Sequence, residues 1–253
     1  MAERLHVAIA RAGVCSRREA EKRICQGRVT VNGKTIRELG TSVDPDTDDI
    51  EVNGRRIARS AHRIRITLML NKPKGVVTTS DDPQQRKTVV DLVQDVEQRL
   101  FPVGRLDYHT EGLLLMTNDG TLSHLLQHPR HGIEKIYQAK VKGIPGNEAL
   151  ERLRNGIVLK GRVTAPARVK RLSSTGNNAW LEIAIREGRN RQIRRMCTKI
   201  GHPVMKLKRI RYGPLSLGNL KPGSHRRLSA KEVERLYTCC GSDKSLDFSR
   251  STP

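Results

Sequence analysis

Aromatic side chains are scarce in this chain of 253 residues, with one Trp, four Tyr and two Phe. That scarcity argues against a module that grips single strands by stacking bases on aromatic platforms. Acidic side chains are also in deficit: 26 Asp plus Glu stand against 48 Lys plus Arg, for a formal net charge of +22 and a sequence pI near 10.5. Such an excess implies a polyanionic partner, and nucleic acid fits it well. A membrane surface would attract the same charge, but no apolar run approaches the length of a spanning helix, so no membrane partner is expected. Nor does the N-terminus read as a secretory signal, because Glu3, Arg4 and Arg11 interrupt its apolar residues. The five cysteines are odd in number and contain no C-x-x-C pair, as expected for reduced thiols in a cytoplasmic protein without disulfides or a zinc ribbon.

What is present divides into a small and a large unit. Residues 3 to 12 read as a short helix with Leu5, Ala8, Ile9 and Ala12 inward, ended by Gly13. Ser16 followed by Glu19 is a capping box that opens a second helix, from which Arg18 and Lys22, four residues apart, present cations on one face. Val29 to Val31, Asn32-Gly33 and Lys34 to Ile36 form a hairpin with its favoured turn, and Ile50 to Ile57 repeats the device around Asn53-Gly54. Gly33-Lys34-Thr35 is not the end of a P-loop: the upstream glycine, Gly27, is one residue too far, and the segment enters a strand rather than a helix. No nucleotide cofactor is expected there.

Residues 58–65 are a basic, pattern-poor connector into the larger unit. Ile66 to Leu70 is an apolar strand halted by Asn71-Lys72-Pro73-Lys74-Gly75, a turn carrying two lysines. Val89, Val93, Val96 and Leu100 mark one face of a helix, broken at Phe101-Pro102. Leu113 to Met116 reads as a buried strand, and Thr121 to His128 as a helix stopped before Pro129. Ile136 to Lys142 alternates like a strand, with Tyr137, Ala139 and Val141 on one face. The spacing of His124, His128 and His131 raises the question of a metal, but Pro129 interrupts them and no carboxylate or thiol joins at usable spacing, so no metal is expected. Trp180 to Ile185 is a further strand. Asn190 then reads as the cap of a helix whose Ile193, Met196, Cys197 and Ile200 fall on one stripe, with Arg191 and Arg195 outward and Arg194 at the edge of the stripe. A polar, patternless and disordered tail is expected at 239–253.

The chain is organised around Gly104-Arg105-Leu106-Asp107, which leads into the apolar run Leu113 to Met116. A carboxylate in a strongly cationic surface repels the ligand that the surface attracts, which suggests a chemical task. Arg105 would offer it positive charge, as a nucleophile or general base needs. The alternative at this stage is a structural Asp that closes the loop onto backbone amides. Tyr137 is likewise open between packing and an active-site role, as is Arg194 between meeting a half-buried carboxylate and touching phosphate.

Resemblance to known families narrows these choices. Arg4 to Ala10, Cys15 to Ala20 and Gly27 to Lys34 together resemble the S4 RNA-binding domain, which implies that Arg17, Arg18 and Lys22 contact structured RNA. Gly104-Arg105-Leu106-Asp107 with Thr110, Gly112 to Leu115 and Thr117 to Gly120 resembles the signature of the RsuA/RluB branch of rRNA pseudouridine synthases. Asn71 to Gly75, Lys135 to Tyr137 and Glu187 to Met196 are similar to the branch's other motifs. His128 to His131, Lys140 to Pro145 and Gly201 to Lys208 most resemble the RluB type, which acts on large-subunit rRNA.

The resemblance implies an α+β protein with an S4 domain at 3–57, a linker at 58–65 and a catalytic domain at 66–238 built on a largely antiparallel mixed sheet. It implies isomerisation of a uridine flipped out of folded rRNA, with no cofactor and no metal, by a cytoplasmic monomer acting on rRNA or an assembly intermediate. Asp107 would act on the nucleotide, Tyr137 would stack on the uracil, and Arg194 would pair with Asp107. Arg105, Lys72, Arg191 and Arg195 would hold the RNA. A small-subunit target, or a non-catalytic assembly factor for which charge and the S4 unit suffice, are the competing readings.

Overall fold

The computed structural model describes residues 2–57 and 64–241. The small unit begins with β1 (Glu3–Arg4), α1 (Leu5–Arg11) and α2 (Arg17–Cys25). The strands β2 (Val29–Val31), β3 (Lys34–Ile36), β4 (Ser42–Val43), β5 (Ile50–Val52) and β6 (Arg55–Arg56) follow. Four of them form a sheet in the order β3-β2-β5-β6, and β1 pairs with β4. Both Asn-Gly turns form as expected: Asn32 and Asn53 sit at φ 50° and 52°, each followed by a glycine at positive φ, which matches the twist of the paired strands. The Ser16 capping box is only half made. Ser16 Oγ accepts from the Glu19 amide at 3.2 Å, but the Glu19 carboxylate turns to Arg23 Nε at 3.3 Å, so the reciprocal bond is absent. Leu5, Ala8, Ile9, Ala20, Ile24, Val29, Ile50 and Val52 close a small core of their own.

The larger unit opens with β7 (Thr67–Lys72), β8 (Phe101–Val103) and β9 (Glu111–Thr117), then α3 (Gly120–Gln127) and β10 (Lys135–Lys142). Next come α4 (Asn147–Asn155), the small pair β11 (Val158–Leu159) and β12 (Arg162–Val163), then β13 (Arg168–Thr175) and β14 (Asn178–Ile185). The chain continues through α5 (Gln192–Lys199), β15 (Val204–Tyr212), β16 (Leu215–Ser216), β17 (His225–Arg227) and α6 (Ala230–Thr238). The main sheet runs β13-β14-β10-β15-β9-β7-β17, with β16 added on β15 and β8 on β9. Every pairing is antiparallel except β9 with β15, a short parallel contact through Glu111 with Lys208 and Gly112 with Arg209. The molecule is therefore α+β with a largely antiparallel mixed sheet, as expected.

Both faces of the sheet are covered, which is why β7 and β9 read as continuous apolar runs rather than alternating ones. Leu113 and Leu115 enter a cluster with Met69, Leu122, Tyr212, Leu236 and Tyr237, whereas Leu114 and Met116 enter one with Leu68, Leu70, Val89 and Leu106. Each such side chain contributes about 1.5–3 kcal/mol by leaving water.

Three expectations are corrected. The helix expected over Val89 to Leu100 does not form; only a 3-10 turn at Val90–Leu92 appears. Val89 donates its amide to Val77 O at 3.0 Å, and Asp91 accepts from the Thr88 amide and hydroxyl at 2.7 and 3.0 Å. The first bond ties the segment to the bridge at Val77 and the others close it on itself before a helical ladder can start, although Val89, Val93 and Leu100 are still buried. Asn190 does not cap α5: Arg191 occupies the cap position at φ 51°, and Asn190 Oδ1 accepts from Arg195 Nη2 at 2.8 Å. The polar tail does not begin at 239, because Cys240 is buried in the core beside Tyr237. The rest of that tail, from 242, and most of the expected linker, 58–63, lie outside the described residues.

Candidate active site

The loop from Leu106 to Thr110 enters β9 at the one parallel seam of the sheet. Gly112 makes that seam possible: at φ +105° its position for a Cβ lies 2.2 Å from Arg209 O, so any side chain would collide with backbone. Upstream, β7 carries the chain into Lys72 and the turn at Gly75, which pack under the same loop.

Each of the five carbonyls from Leu106 to Thr110 accepts a hydrogen bond. Thr78 Oγ1 donates to Leu106 O at 2.7 Å, and the Thr110 amide donates to Asp107 O at 2.9 Å. The Gly75 amide donates to Tyr108 O at 2.9 Å, and Arg194 Nη2 to His109 O at 2.8 Å. Lys72 Nζ donates to Thr110 O at 3.0 Å, to Asp107 O at 3.3 Å and to Pro73 O at 3.0 Å. The backbone is fixed from four directions, and bonds of this kind to charged donors are worth about 1.5–3 kcal/mol each.

The Asp107 carboxylate, by contrast, has no hydrogen bond or ion pair among the described residues and is half-buried. The loop is thus closed by its own backbone and by Lys72, Thr78 and Arg194, not by the Asp107 side chain folding onto amides. Of the two readings open from sequence, the loop-closing aspartate is not what the geometry supports.

Lys72 departs from its expected place. It was expected among the cations that hold RNA, but it is fully buried, so it cannot reach a phosphate. Burial pushes its pKa down to about 8, against the opposing pull of Asp107 and Glu111. Its parity along β7 was the missed signal: Leu68, Leu70 and Lys72 share a face, and the two leucines lie in the core.

Arg194 is corrected as well. It was expected to form an ion pair with Asp107; instead its guanidinium binds the loop that carries Asp107, through His109 O and, at 3.3 Å, Thr110 Oγ1. Its Nη1 reaches Val204 O at 3.4 Å, and its Nε is buried without a partner. Burial and the adjacent Arg191 lower its pKa, while the charge of Asp107 opposes them. The two groups therefore interact through space without a direct bond.

Tyr137 is half-buried and packs against the cluster that holds Leu106 and Leu114 and against a further one with Ala139, Leu181 and Leu207. Behind it lies Arg209, which is only 3% exposed although its charge and its basic neighbours in sequence point to a surface. Its guanidinium carbon is 6.0 Å from the Tyr137 ring centre and 5.0 Å from that of Tyr212, and its Nε donates to Leu113 O at 2.7 Å. Like Lys72, it shares the face of an inward residue, Leu207, two positions earlier. Arg105 and Arg191 are exposed and Arg195 half-buried, as surface cations around the loop. On the small unit Arg17, Arg18 and Lys22 are all exposed, and Arg17 points toward the larger unit, its Nη2 3.6 Å from the place of a Cβ on Gly120.

His124, His128 and His131 stack edge to face, with ring centres 5.5 and 6.0 Å apart. Among the described residues no three His, Cys, Asp or Glu side chains are placed to hold a metal ion, and no helix is long and apolar enough to cross a membrane.

Comparison with known proteins agrees with this geometry. Residues 66–199 match the RNA pseudouridylate synthase family and residues 3–49 the S4 domain. The chain is 48% identical over 236 residues to ribosomal large subunit pseudouridine synthase B of Bacillus subtilis (strain 168), covering 92% of this chain and 95% of that protein. It is 41% identical over 242 residues to an uncharacterized RNA pseudouridine synthase of Aquifex aeolicus (strain VF5), covering 95% and 96%. A crystal structure of a pseudouridylate synthase superposes with a TM-score of 0.65 at 30% identity, covering 92% of this chain and 99% of that one. The Asp107 loop, the sheet that carries it and the S4 unit in front of them are those of an RNA pseudouridine synthase, and the chain belongs to that family.

Proposed function

We propose that the enzyme converts one uridine of large-subunit rRNA to pseudouridine, with Asp107 as the group that acts on the nucleotide. The observation that carries this reading is the contrast within one loop: five consecutive carbonyls are bonded, and the only carboxylate among them is left uncommitted. A preorganised, accessible carboxylate is what an attack or a proton abstraction requires, because little reorganisation then accompanies reaction. The large-subunit target rests on the 48% identity to the Bacillus subtilis enzyme and on the S4 match.

The reaction breaks the N1–C1′ bond, turns the base and joins C5 to C1′. The proton that C5 loses is balanced by the one that N1 gains, so nothing is consumed. Each protein group has a separate part. Asp107 engages the flipped nucleotide, Tyr137 offers its ring face to the uracil, and Arg194 and Lys72 hold the loop. The exposed Arg105, Arg191, Arg18 and Lys22 meet phosphates. Because the target uridine lies within folded RNA, it must leave its stack to reach Asp107.

The test is to treat a large-subunit rRNA transcript with purified enzyme and map carbodiimide adducts that survive mild alkali, alongside rRNA from cells with and without the gene. One position should give an alkali-stable adduct with the parent enzyme and an alkali-labile one with Asp107→Asn. Adducts confined to small-subunit rRNA would overturn the target, and none in either RNA would leave only a binding role.

A further inference from the structure

A cavity of about 410 Å³ lies at the seam between the small unit and the sheet domain, away from Asp107. Its walls carry Arg11 and Arg17 from α1 and α2, and Arg99, Phe101, His124 and Gln127 from the larger unit. Among the described residues no Asp or Glu lines it. Arg17 reaches across to the start of α3, and Arg99 is close enough to Cys15 of the small unit for its charge to act on that thiol. Arg11 is neutralised by Glu3 at 2.7 Å. Arg17 and Arg99 have no ion pair among the described residues.

Asp119, between the lining residues Asn118 and Gly120 in sequence, is already engaged. Its Oδ1 accepts from the amides of Thr121 and Leu122 at 3.0 and 3.1 Å, and its Oδ2 accepts from the Tyr237 hydroxyl at 2.6 Å. Two guanidiniums from different units therefore line one water-accessible cleft with no anion of the described residues in its walls. That arrangement costs free energy when the units are docked, and a bound anion reverses the sign.

We infer that this cleft is a phosphodiester site for the substrate RNA, with Arg17 and Arg99 gripping one backbone segment from both units. A phosphate between them would make the relative placement of the two units depend on bound RNA. The volume suits a nucleotide's phosphate and sugar, and Phe101 offers an apolar wall. Arg17 then contacts RNA from inside the seam, apart from Arg18 and Lys22 on the outer face of the same helix. The inference rests on the rRNA reading above.

Phosphate-ethylation interference tests it, using full-length enzyme and an rRNA fragment centred on the uridine that the enzyme converts. The parent should show phosphates whose ethylation blocks binding. One or two of these should become indifferent in Arg17→Gln/Arg99→Gln, and the log–log salt dependence should flatten by about 1 to 2. Gln127→Trp, which fills the cleft without removing charge, should silence the same phosphates. Arg18→Gln/Lys22→Gln should silence others.

If the first two variants keep the parental interference pattern and salt slope, the seam is only solvated surface or takes a different partner, and the inference falls. It also falls if they lose only the phosphates that the Arg18/Lys22 variant loses. A parent that modifies no rRNA sinks the proposed function instead, so the two failures are distinguishable.

Discussion

Replacing Lys72 by methionine separates a positioning role from an RNA contact, because the two make opposite demands. The ammonium is fully buried and bonds Pro73 O, Asp107 O and Thr110 O. Burial lowers its pKa from 10.5 to about 8. The folded chain thus binds fewer protons than the unfolded chain between those pH values, and stability should rise with pH across that window. Below it the charged form costs on the order of 3 kcal/mol. Lys72→Met removes that cost but leaves Pro73 O and Thr110 O without this donor, at about 1–3 kcal/mol each; Asp107 O keeps the Thr110 amide. The two effects nearly cancel at pH 7, so denaturant unfolding should change by no more than ~2 kcal/mol. The variant should also lose part of the parent's gain in stability between pH 8 and 10. Turnover should fall on the order of 10²-fold, because a loop loosened by an ångström misplaces Asp107. Affinity for rRNA and its salt slope should stay at parental values. Parental turnover at intact stability would refute the positioning role, and a lower salt slope would restore Lys72 to the RNA contacts expected from sequence.

Asp107→Asn should abolish isomerisation while RNA binds as tightly as before or slightly tighter, since a negative charge leaves a cationic surface; single-turnover assays beside filter binding check this. Arg194→Ala should lower turnover on the order of 10²-fold with little change in affinity, because His109 O and Thr110 Oγ1 lose their donor. Arg195→Ala, measured in parallel, should mainly weaken binding, and an Arg194 variant that changes only affinity would contradict the loop-holding role. Charge reversal at Arg18 and Lys22 should flatten the salt dependence of binding and spare turnover at saturating RNA; identical salt titrations would reduce that face to solvated surface.

Local chemistry made much of this fold legible. Asn32-Gly33 and Asn53-Gly54 set their own φ values, and α5 buries the four residues that its period assigned, Ile193, Met196, Cys197 and Ile200. What was not legible depended on partners distant in sequence. The stripe Val89, Val93, Val96 and Leu100 has helical spacing, yet its first amide is taken by Val77 O, and β-branched residues give the helix little to compete with. Asn190 is a good cap by type, but Arg195 claims its oxygen five residues on. Asp107 was legible as a position and ambiguous as a role. The loop-closing alternative lost its support only with the carbonyls around it, whose donors Thr78 and Arg194 come from 28 and 85 residues away.

The expected Asp107–Arg194 ion pair and the observed arrangement also differ in what they leave available. A direct pair would have occupied the carboxylate and the arginine with each other, and substrate would have had to break it. Here Arg194 is committed to the backbone through its Nη atoms, while its Nε is buried and unpartnered; Arg209 Nη2, behind Tyr137, is unpartnered too. Unmet buried donors cost about 1–3 kcal/mol each and are uncommon where nothing uses them. Two of them here belong to arginines, one holding the Asp107 loop and the other packed behind Tyr137. The two buried donors left without a partner among the described residues are therefore grouped with the residues proposed to meet the nucleotide, around a carboxylate on a fixed loop. That grouping favours a site that acts on an incoming base and sugar over a surface that only holds a phosphate backbone, since the exposed arginines around the loop already suffice for the second task.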